Sequence, residues 1–238
     1  MNMSFFEEKV EPILKKTALR IENTEAMQSI VNGTMTDEQF IFYQVQDYQY
    51  LLEYLKAWAT ALGKATDYYE ITDMLTIIND IHEGLDYCRD FWTKEAGITA
   101  DDMDRCIMCE GKRNYTSYLL NIANTSDLAG LFCAVFPCGK MYTYFAEDLM
   151  PKCKLDPENK YYKWLEYYTT DHYKQEAANK MALINKFCEG KSEKELSRLL
   201  EIIAVSCNYE ILQWEDTYRN MTTWPLNDIF PRKMISID

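Results

Sequence analysis

One acidic residue interrupts an aromatic stretch in the first part of the chain. Asp47 shares one face of a predicted helix with aromatic side chains that recur every three or four residues: Phe40, Tyr43, Tyr50, Tyr54 and Trp58. Burying a carboxylate is costly unless another group pairs with it. Asp47 is therefore either a ligand-binding group or lies off this face because the helical phase differs from the one assumed. An aspartate that tyrosine hydroxyls hold for purely structural reasons is about as well supported by this pattern alone.

A thiol directly follows an internal proline in Phe136-Pro137-Cys138-Gly139. Proline removes an N–H and crowds the preceding turn, so a kink is expected there, with open space beside the sulfur. Such space suits a nucleophile and a planar ligand, and Tyr142 lies one turn further on the same face. A cysteine in a helical core is more often a packing residue, so catalysis is the minority reading of this pattern alone.

Glu210 lies in an otherwise apolar stretch that begins at Leu199, with Trp214 one turn away. Loss of solvent raises the pKa of such a carboxyl group, which then serves as a proton donor or acceptor near neutral pH. The structural alternative is that Glu210 only satisfies the hydroxyls of buried tyrosines.

Metal and haem chemistry are disfavoured by the histidines and cysteines. A di-iron bundle needs Glu-x-x-His pairs on two helices and haem needs an axial ligand, whereas the chain has only His82 and His172, which we interpret as surface or core residues. Cys106 and Cys109 have zinc-like spacing, but no second pair follows. The eight cysteines are expected to be mostly reduced thiols.

Start and stop signals predict an all-α chain in which roughly seven to nine helices form one bundle. Gly and Pro are scarce, at 8 and 6 residues. The clearest predicted helices are Thr36 to Leu62, Thr66 to Glu95, Ser126 to Leu149, Tyr161 to Tyr168, Thr170 to Cys188 and Ser192 to Arg219. One domain is expected over residues 1–238, with 220–238 as a short C-terminal tail.

The charge balance limits the partners. With 25 basic and 38 acidic residues the formal charge is −13, which repels nucleic acid and anionic membrane surfaces. The N-terminal segment has no basic region followed by a long apolar run, and nowhere do enough apolar residues follow one another to span a bilayer. A soluble, cytoplasmic protein is expected.

The three acidic and thiol positions, in this order, resemble the thiaminase II (TenA) family, whose fold is a haem-oxygenase-like helical bundle. The matching segments span residues 42–214: Phe42-Tyr43-x-x-Gln46-Asp47-x-x-Tyr50-Leu51, Tyr115-Thr116-Ser117-Tyr118, Pro137-Cys138-x-x-x-Tyr142, Lys163-Trp164-x-x-x-Tyr168 and Tyr209-Glu210-x-x-x-Trp214. Three positions in two segments depart from the family pattern: Gln213 stands where an aromatic residue is usual, and Gly139-Lys140 replaces bulkier residues.

The resemblance implies an aminopyrimidine aminohydrolase that converts 4-amino-5-aminomethyl-2-methylpyrimidine to the hydroxymethyl-pyrimidine and ammonia in thiamine salvage, with thiamine as a second candidate substrate. It implies that Cys138 adds to the ring, Glu210 protonates a ring nitrogen, and Asp47 binds the exocyclic amine and assists proton transfer. It further implies pocket roles for four tyrosines: Tyr50, Tyr115, Tyr142 and Tyr168. No metal or organic cofactor is required, and family members are often tetramers.

Two other functions stay open. The same aromatic residues could hold a pyrimidine or another flat molecule in a non-catalytic binding protein, in which case ligand affinity would come without product. A quinone- or tetrapyrrole-related oxidoreductase on the same fold is a weaker alternative, because the chain has so few histidines.

Overall fold

The regular structure of the chain is helical. The computed structural model describes residues 4–219 and 228–229, and no strand occurs among them. The helices follow one another as α1 (Glu11–Glu22), α2 (Glu25–Asn32), α3 (Asp37–Leu62), α4 (Tyr68–Ala96), α5 (Ala100–Arg105), α6 (Glu110–Thr125), α7 (Leu128–Leu149), α8 (Lys160–Tyr167), α9 (Asp171–Cys188) and α10 (Glu193–Tyr218). A π-helical turn, Phe6–Val10, precedes α1, and a 3-10 turn, Met150–Lys152, follows α7. The prediction of an all-α chain is confirmed.

The first of two compact units comprises residues 1–35 and 126–215. Its α7 packs against α1 and α9, and every residue of α7 from Leu128 to Pro137 is buried. A helix that is apolar on all sides is stable only inside a protein. The Phe132 ring lies 5.1 Å from Phe187 of α9 between centroids. The helix continues through Pro137 to its predicted end at Leu149, and the kink itself stays a prediction.

The second unit comprises residues 36–125 and 216–238, and in it α3 packs against α4 and α6. The predicted capping box begins α3: Thr36 Oγ1 accepts from the Gln39 N–H at 3.2 Å, and Gln39 Oε1 accepts from the Thr36 N–H at 3.0 Å. Such a box satisfies two N–H groups that the first turn leaves unpaired. The aromatic face predicted for α3 is buried over its whole length.

Two helices begin one or two residues later than predicted, because an aspartate caps each of them. Asp67 Oδ1 accepts from the Glu70 N–H at 2.9 Å, so α4 is capped there and not at Thr66. Asp127 Oδ1 likewise accepts from the Gly130 N–H at 3.0 Å, ahead of α7. Aspartate is at least as good a cap as serine or threonine, so adjacent candidates are hard to rank from sequence.

The later helix starts agree with the sequence. Thr170 caps α9, and Ser192 forms a capping box with Glu195 at the start of α10. The described residues contain ten α-helices, more than the expected seven to nine, because a helix as short as the six-residue α5 shows no periodic pattern.

Two predictions about chain organisation are not tested by these helices. The predicted tail, 220–238, lies outside the described residues except for 228–229. The single domain over 1–238 stays a prediction. Of the helices in the described part of the chain, none combines the length and apolar character needed to cross a bilayer.

Candidate functional site

Asp47 pairs with a buried lysine in the second unit. Lys112 Nζ of α6 lies 2.7 Å from Asp47 Oδ1 of α3, and the lysine side chain is only 1% exposed whereas the aspartate is 23% exposed. The ammonium also lies 4.7 Å from the Tyr50 ring centroid and 5.6 Å from that of Tyr43. A cation over aromatic faces gains electrostatic stabilisation that partly offsets its lost hydration. The Asp47–Lys112 pair therefore supplies the partner that a buried carboxylate needs.

Aromatic rings continue from this pair. The Tyr50 ring stacks on Tyr54 at 5.5 Å and lies 5.3 Å from Tyr115 of α6, and both Tyr50 and Tyr115 are buried. The structure thus brings three predicted site residues together in the second unit, namely Asp47, Tyr50 and Tyr115.

Amide side chains of α3 hold the segment that leads into α6. Gln46 Nε2 donates to the Ile107 carbonyl at 2.8 Å, and Gln46 Oε1 accepts from the Cys109 N–H at 2.7 Å. Gln49 Nε2 donates to the Met103 carbonyl at 2.9 Å. Because these bonds fix the start of α6 against α3, they also determine where along α3 Lys112 lies, which is beside Asp47.

The two cysteines with zinc-like spacing have ordinary neighbours in this unit. Cys106 Sγ lies 3.6 Å from Gln46 Nε2, and Cys109 Sγ lies 3.8 Å from Thr217 Oγ1. In the described part of the chain, no group of three or more His, Cys, Asp or Glu side chains is placed to hold a metal ion.

Cys138 lies half-buried on α7 in the first unit, directly after the internal proline. The Tyr173 hydroxyl of α9 donates to the Gly139 carbonyl at 2.7 Å, which holds the backbone next to the thiol. A Cβ at Gly139 would meet no atom within 4 Å, so the glycine leaves open space there. The space expected beside the Cys138 sulfur stays a prediction.

Glu210 of α10 is completely buried in the same unit. Gln213 Nε2 donates a short hydrogen bond to Glu210 Oε2 and lies 3.5 Å from the Tyr142 hydroxyl oxygen. One amide therefore links the carboxyl group of α10 to a tyrosine of α7. We call Glu210 and Gln213 the Glu210–Gln213 pair.

Aromatic rings also surround this second pair. The Tyr142 ring lies 4.9 Å from Tyr168 and 6.3 Å from Trp214 between centroids. Trp164 of α8 contacts both Tyr168, at 5.2 Å, and Trp214, at 5.7 Å. Four of the predicted site residues belong to this unit: Cys138, Tyr142, Tyr168 and Glu210.

Three residues of these clusters were missing from the predicted site, namely Lys112, Gln213 and Tyr173. Lys112 lies three residues before Tyr115, so helical spacing could have placed it on the same face. Gln213 lies three residues after Glu210 and could have been found in the same way. Tyr173 shows no comparable signal, because its bond to the Gly139 carbonyl depends on how α9 packs against α7.

The thiols of Cys88, Cys133 and Cys207 have raised pKa values and are poor nucleophiles. Burial raises the pKa of Cys207 to about 12, and burial together with the Asp47 charge raises that of Cys88 to about 12. Cys133 and Cys188 are in hydrogen-bond contact, which raises the pKa of Cys133 and lowers that of Cys188. Only the thiolate attacks carbon, so a raised pKa makes a thiol inert at neutral pH.

The two histidines and Lys140 have other partners. Both histidines are exposed, with His82 beside Asp86 at 3.4 Å and His172 beside Glu176 at 3.1 Å, so both are surface residues, one of the two positions that the sequence left open. Lys140 lies over the Tyr144 ring at 5.0 Å, and burial lowers its pKa.

The helical architecture has solved counterparts. A TenA homologue from P. horikoshii OT3 superposes with a TM-score of 0.82 at 20% identity, covering 91% of this chain and 99% of that one. A TenA homologue from Pyrococcus furiosus gives a TM-score of 0.78 at 19% identity, covering 90% and 100%. The chain is therefore an all-α protein with the haem-oxygenase-like fold, as predicted.

The family follows from the sequence. The model of the TENA/THI-4/PQQC family matches residues 20–221, and the chain belongs to this family. An aminopyrimidine aminohydrolase from Halalkalibacterium halodurans is 27% identical over 208 residues, or 86% of this chain and 91% of that protein. An aminopyrimidine aminohydrolase from Helicobacter pylori is 26% identical over 194 residues, or 82% and 89%.

Proposed function

We propose that the chain is a hydrolase of the thiaminase II type that works in thiamine salvage. Its substrate is 4-amino-5-aminomethyl-2-methylpyrimidine, its products are the hydroxymethyl-pyrimidine and ammonia, and thiamine is a second substrate. Family membership and the two relatives named aminopyrimidine aminohydrolase support the class of reaction. The observation that carries the proposal is the buried Glu210, which Gln213 holds beside Tyr142, one turn from Cys138 on α7.

The proposed reaction begins when the Cys138 thiolate adds to the pyrimidine ring and Glu210 protonates a ring nitrogen. Electrons returning from the ring expel the protonated amine as ammonia from the side-chain methylene carbon. Water then adds to that carbon and loses a proton, and loss of the thiolate, with return of the ring-nitrogen proton to Glu210, restores the aromatic ring. The net change is one water consumed and one ammonia released, and splitting the substitution in this way replaces one difficult step by easier ones.

The buried carboxyl group suits the role of proton donor. Burial disfavours the ionised form of a carboxyl group, and a neutral amide compensates that form less than a cation does. Glu210 is held by the Gln213 amide, and Tyr142 and Tyr168 supply the aromatic surroundings. We assign Tyr142 and Tyr168, with Tyr50 and Tyr115, to substrate binding, and Asp47 to the exocyclic amine.

We propose, from the family resemblance, that the protein works in the cytoplasm as a homotetramer. Reduced cysteines, which this chemistry needs, persist in that compartment. Light scattering of the purified protein at micromolar concentration measures the assembly: a mass four times that of one chain is expected, and a monomer contradicts the proposal.

A product assay with the purified protein tests the reaction. The aminomethyl-pyrimidine and thiamine are incubated separately, and the hydroxymethyl-pyrimidine is quantified by chromatography. Release from the aminomethyl compound is expected, with slower release from thiamine. Measurable binding of both compounds without any product would instead favour the non-catalytic binding protein.

A further inference from the structure

Lys112 is an unusual residue for the interior of a protein. Its side chain is 1% exposed although lysine is almost never fully buried unless it is paired. A role limited to packing would be filled better by an apolar side chain of similar length, because an ammonium loses its hydration on burial. The buried charge therefore points to a task that needs a cation at this place.

The geometry shows which group the cation serves. The Lys112 ammonium contacts Oδ1 of Asp47 at 2.7 Å. In the described part of the chain no side chain donates a hydrogen bond to the other carboxylate oxygen, Oδ2. Asp47 is also the more open member, at 23% exposed. A ligand approaching the pair therefore meets Asp47, while Lys112 lies behind it.

We propose that Lys112 is a positioning residue that fixes Asp47 through Oδ1 and presents Oδ2 as the hydrogen-bond acceptor for the exocyclic amine of the pyrimidine. This inference rests on the proposed function and assigns its substrate selectivity to one charged pair. An ionised carboxylate accepts hydrogen bonds and cannot donate them. The site therefore selects pyrimidines with an amino group over those without one.

The aromatic contacts of Lys112 support a fixed position. The Tyr50 and Tyr43 rings lie 4.7 and 5.6 Å from Nζ, so the ammonium is held from the ring faces as well as by the carboxylate. The bonds of Gln46 to Ile107 and Cys109 restrain the start of α6 as well. A positioned acceptor loses less entropy on binding than a mobile one.

Binding of two small pyrimidines tests the inference without turnover. The probes are 4-amino-2-methylpyrimidine and 2-methylpyrimidine, which differ only in the amino group and carry no leaving group. Calorimetry gives Kd for both with the wild type, Lys112→Met and Lys112→Arg. The matched control is Lys191→Met, because Lys191 forms an equally short ion pair with Asp127 at 2.6 Å in the first unit.

The wild type and Lys191→Met should prefer the amino compound by about tenfold or more, as expected for a hydrogen bond to a charged acceptor. Lys112→Met should lose this preference while its Kd for 2-methylpyrimidine changes by less than about twofold. Lys112→Arg should recover only part of the preference, because a guanidinium binds both carboxylate oxygens and competes with the ligand for Oδ2. Equal weakening of both probes, or an unchanged preference in Lys112→Met, overturns the inference.

A second pair of variants covers a folding defect in Lys112→Met. The double variant Asp47→Asn/Lys112→Met leaves no unpaired charge at this place, and Asp47→Asn is the variant with which it is compared. Because Lys112 acts through Asp47, their Kd values for the amino compound should agree within about twofold. A further tenfold loss in the double variant would show that Lys112 contacts the ligand itself, which contradicts the inference.

The two proposals can fail separately. If the wild type turns over the aminomethyl-pyrimidine but Lys112→Met keeps the probe preference, the proposed role of Lys112 fails and the proposed enzymatic function stands. If Lys112→Met abolishes the preference but the wild type forms no product from either substrate, the proposed enzymatic function fails and the proposed role of Lys112 stands.

Discussion

The two units treat their carboxyl groups in opposite ways. In the second unit Asp47 is 23% exposed and meets the buried ammonium of Lys112. In the first unit Glu210 is fully buried and accepts a hydrogen bond from the neutral amide of Gln213. Aromatic rings lie close to both pairs and both partners are buried, so the difference lies in the charge of the partner and in the exposure of the acid.

This contrast separates two chemical tasks. A carboxylate that a cation balances is a stable hydrogen-bond acceptor, which suits binding. A carboxyl group buried against a neutral amide exchanges a proton more readily, which suits acid catalysis. In this protein the partner of each acid thus suits Asp47 to binding and Glu210 to proton transfer. The following changes test this difference.

The largest expected effect follows Glu210→Gln. The amide keeps the shape of the side chain but cannot supply a proton, so kcat should fall by about 10²–10⁴-fold. Steady-state kinetics with the aminomethyl-pyrimidine measures the change. Glu201→Gln is the matched control, because Glu201 is exposed on the same helix and should keep the wild-type rate. If kcat stayed within about threefold of wild type, Glu210 would not be the acid.

The second-largest expected effect is on the unfolding free energy, which should fall more when the Asp47–Lys112 pair is broken than when the Glu210–Gln213 pair is broken. Lys112→Met leaves a carboxylate without its cation and should cost about 3–5 kcal/mol of unfolding free energy. Gln213→Leu removes a hydrogen bond to a buried acid and should cost about 1–3 kcal/mol. Denaturant titration of both variants gives the two values. A larger loss for Gln213→Leu than for Lys112→Met would reverse the comparison.

Much of the fold could be predicted from the sequence, because the signals that determine it lie close together along the chain. The capping boxes at Thr36 and Ser192 are short-range signals that fix where α3 and α10 begin. The aromatic period of α3 correctly predicted a buried face with Asp47 on it. These features depend only on residues within one helix, so the sequence contains them completely.

The partners of the acids were not predicted, because they depend on packing between helices. Tyrosine hydroxyls were the expected partners of Asp47, whereas the structure supplies Lys112 from α6. A lysine in a helix usually points to solvent, and only the spacing of three residues between Lys112 and Tyr115 indicates otherwise. Likewise Gln213 was noted only as a departure from a family pattern, not as a partner of Glu210.

The smallest expected effect is a change in the alkylation rate of a thiol near each acid, which depends on whether that acid is charged. The Asp47 charge helps to raise the pKa of Cys88 to about 12, so Asp47→Asn should lower that pKa and speed alkylation of Cys88 by less than about tenfold. Burial is the main cause of the raised pKa of Cys207, and Glu210 is a smaller one. If Glu210 carries a proton at rest, Glu210→Gln should leave alkylation of Cys207 unchanged.

Peptide mass spectrometry after timed iodoacetamide labelling at pH 8 measures both rates. Cys153, for comparison, is half-buried and serves as the internal reference in every variant. The account would be contradicted if Cys207 were labelled faster in Glu210→Gln while labelling of Cys88 stayed unchanged in Asp47→Asn. Such a result would mean that Glu210, and not Asp47, is the ionised acid.

The most direct test of the account is the rate at which Cys138→Ser releases ammonia and hydroxymethyl-pyrimidine from the aminomethyl-pyrimidine. The account predicts one-for-one release by the wild type, and a loss of at least about 10³-fold in the variant, whose circular dichroism and Kd for 4-amino-2-methylpyrimidine stay unchanged. Release by Cys138→Ser within about tenfold of the wild-type rate would contradict a cysteine nucleophile.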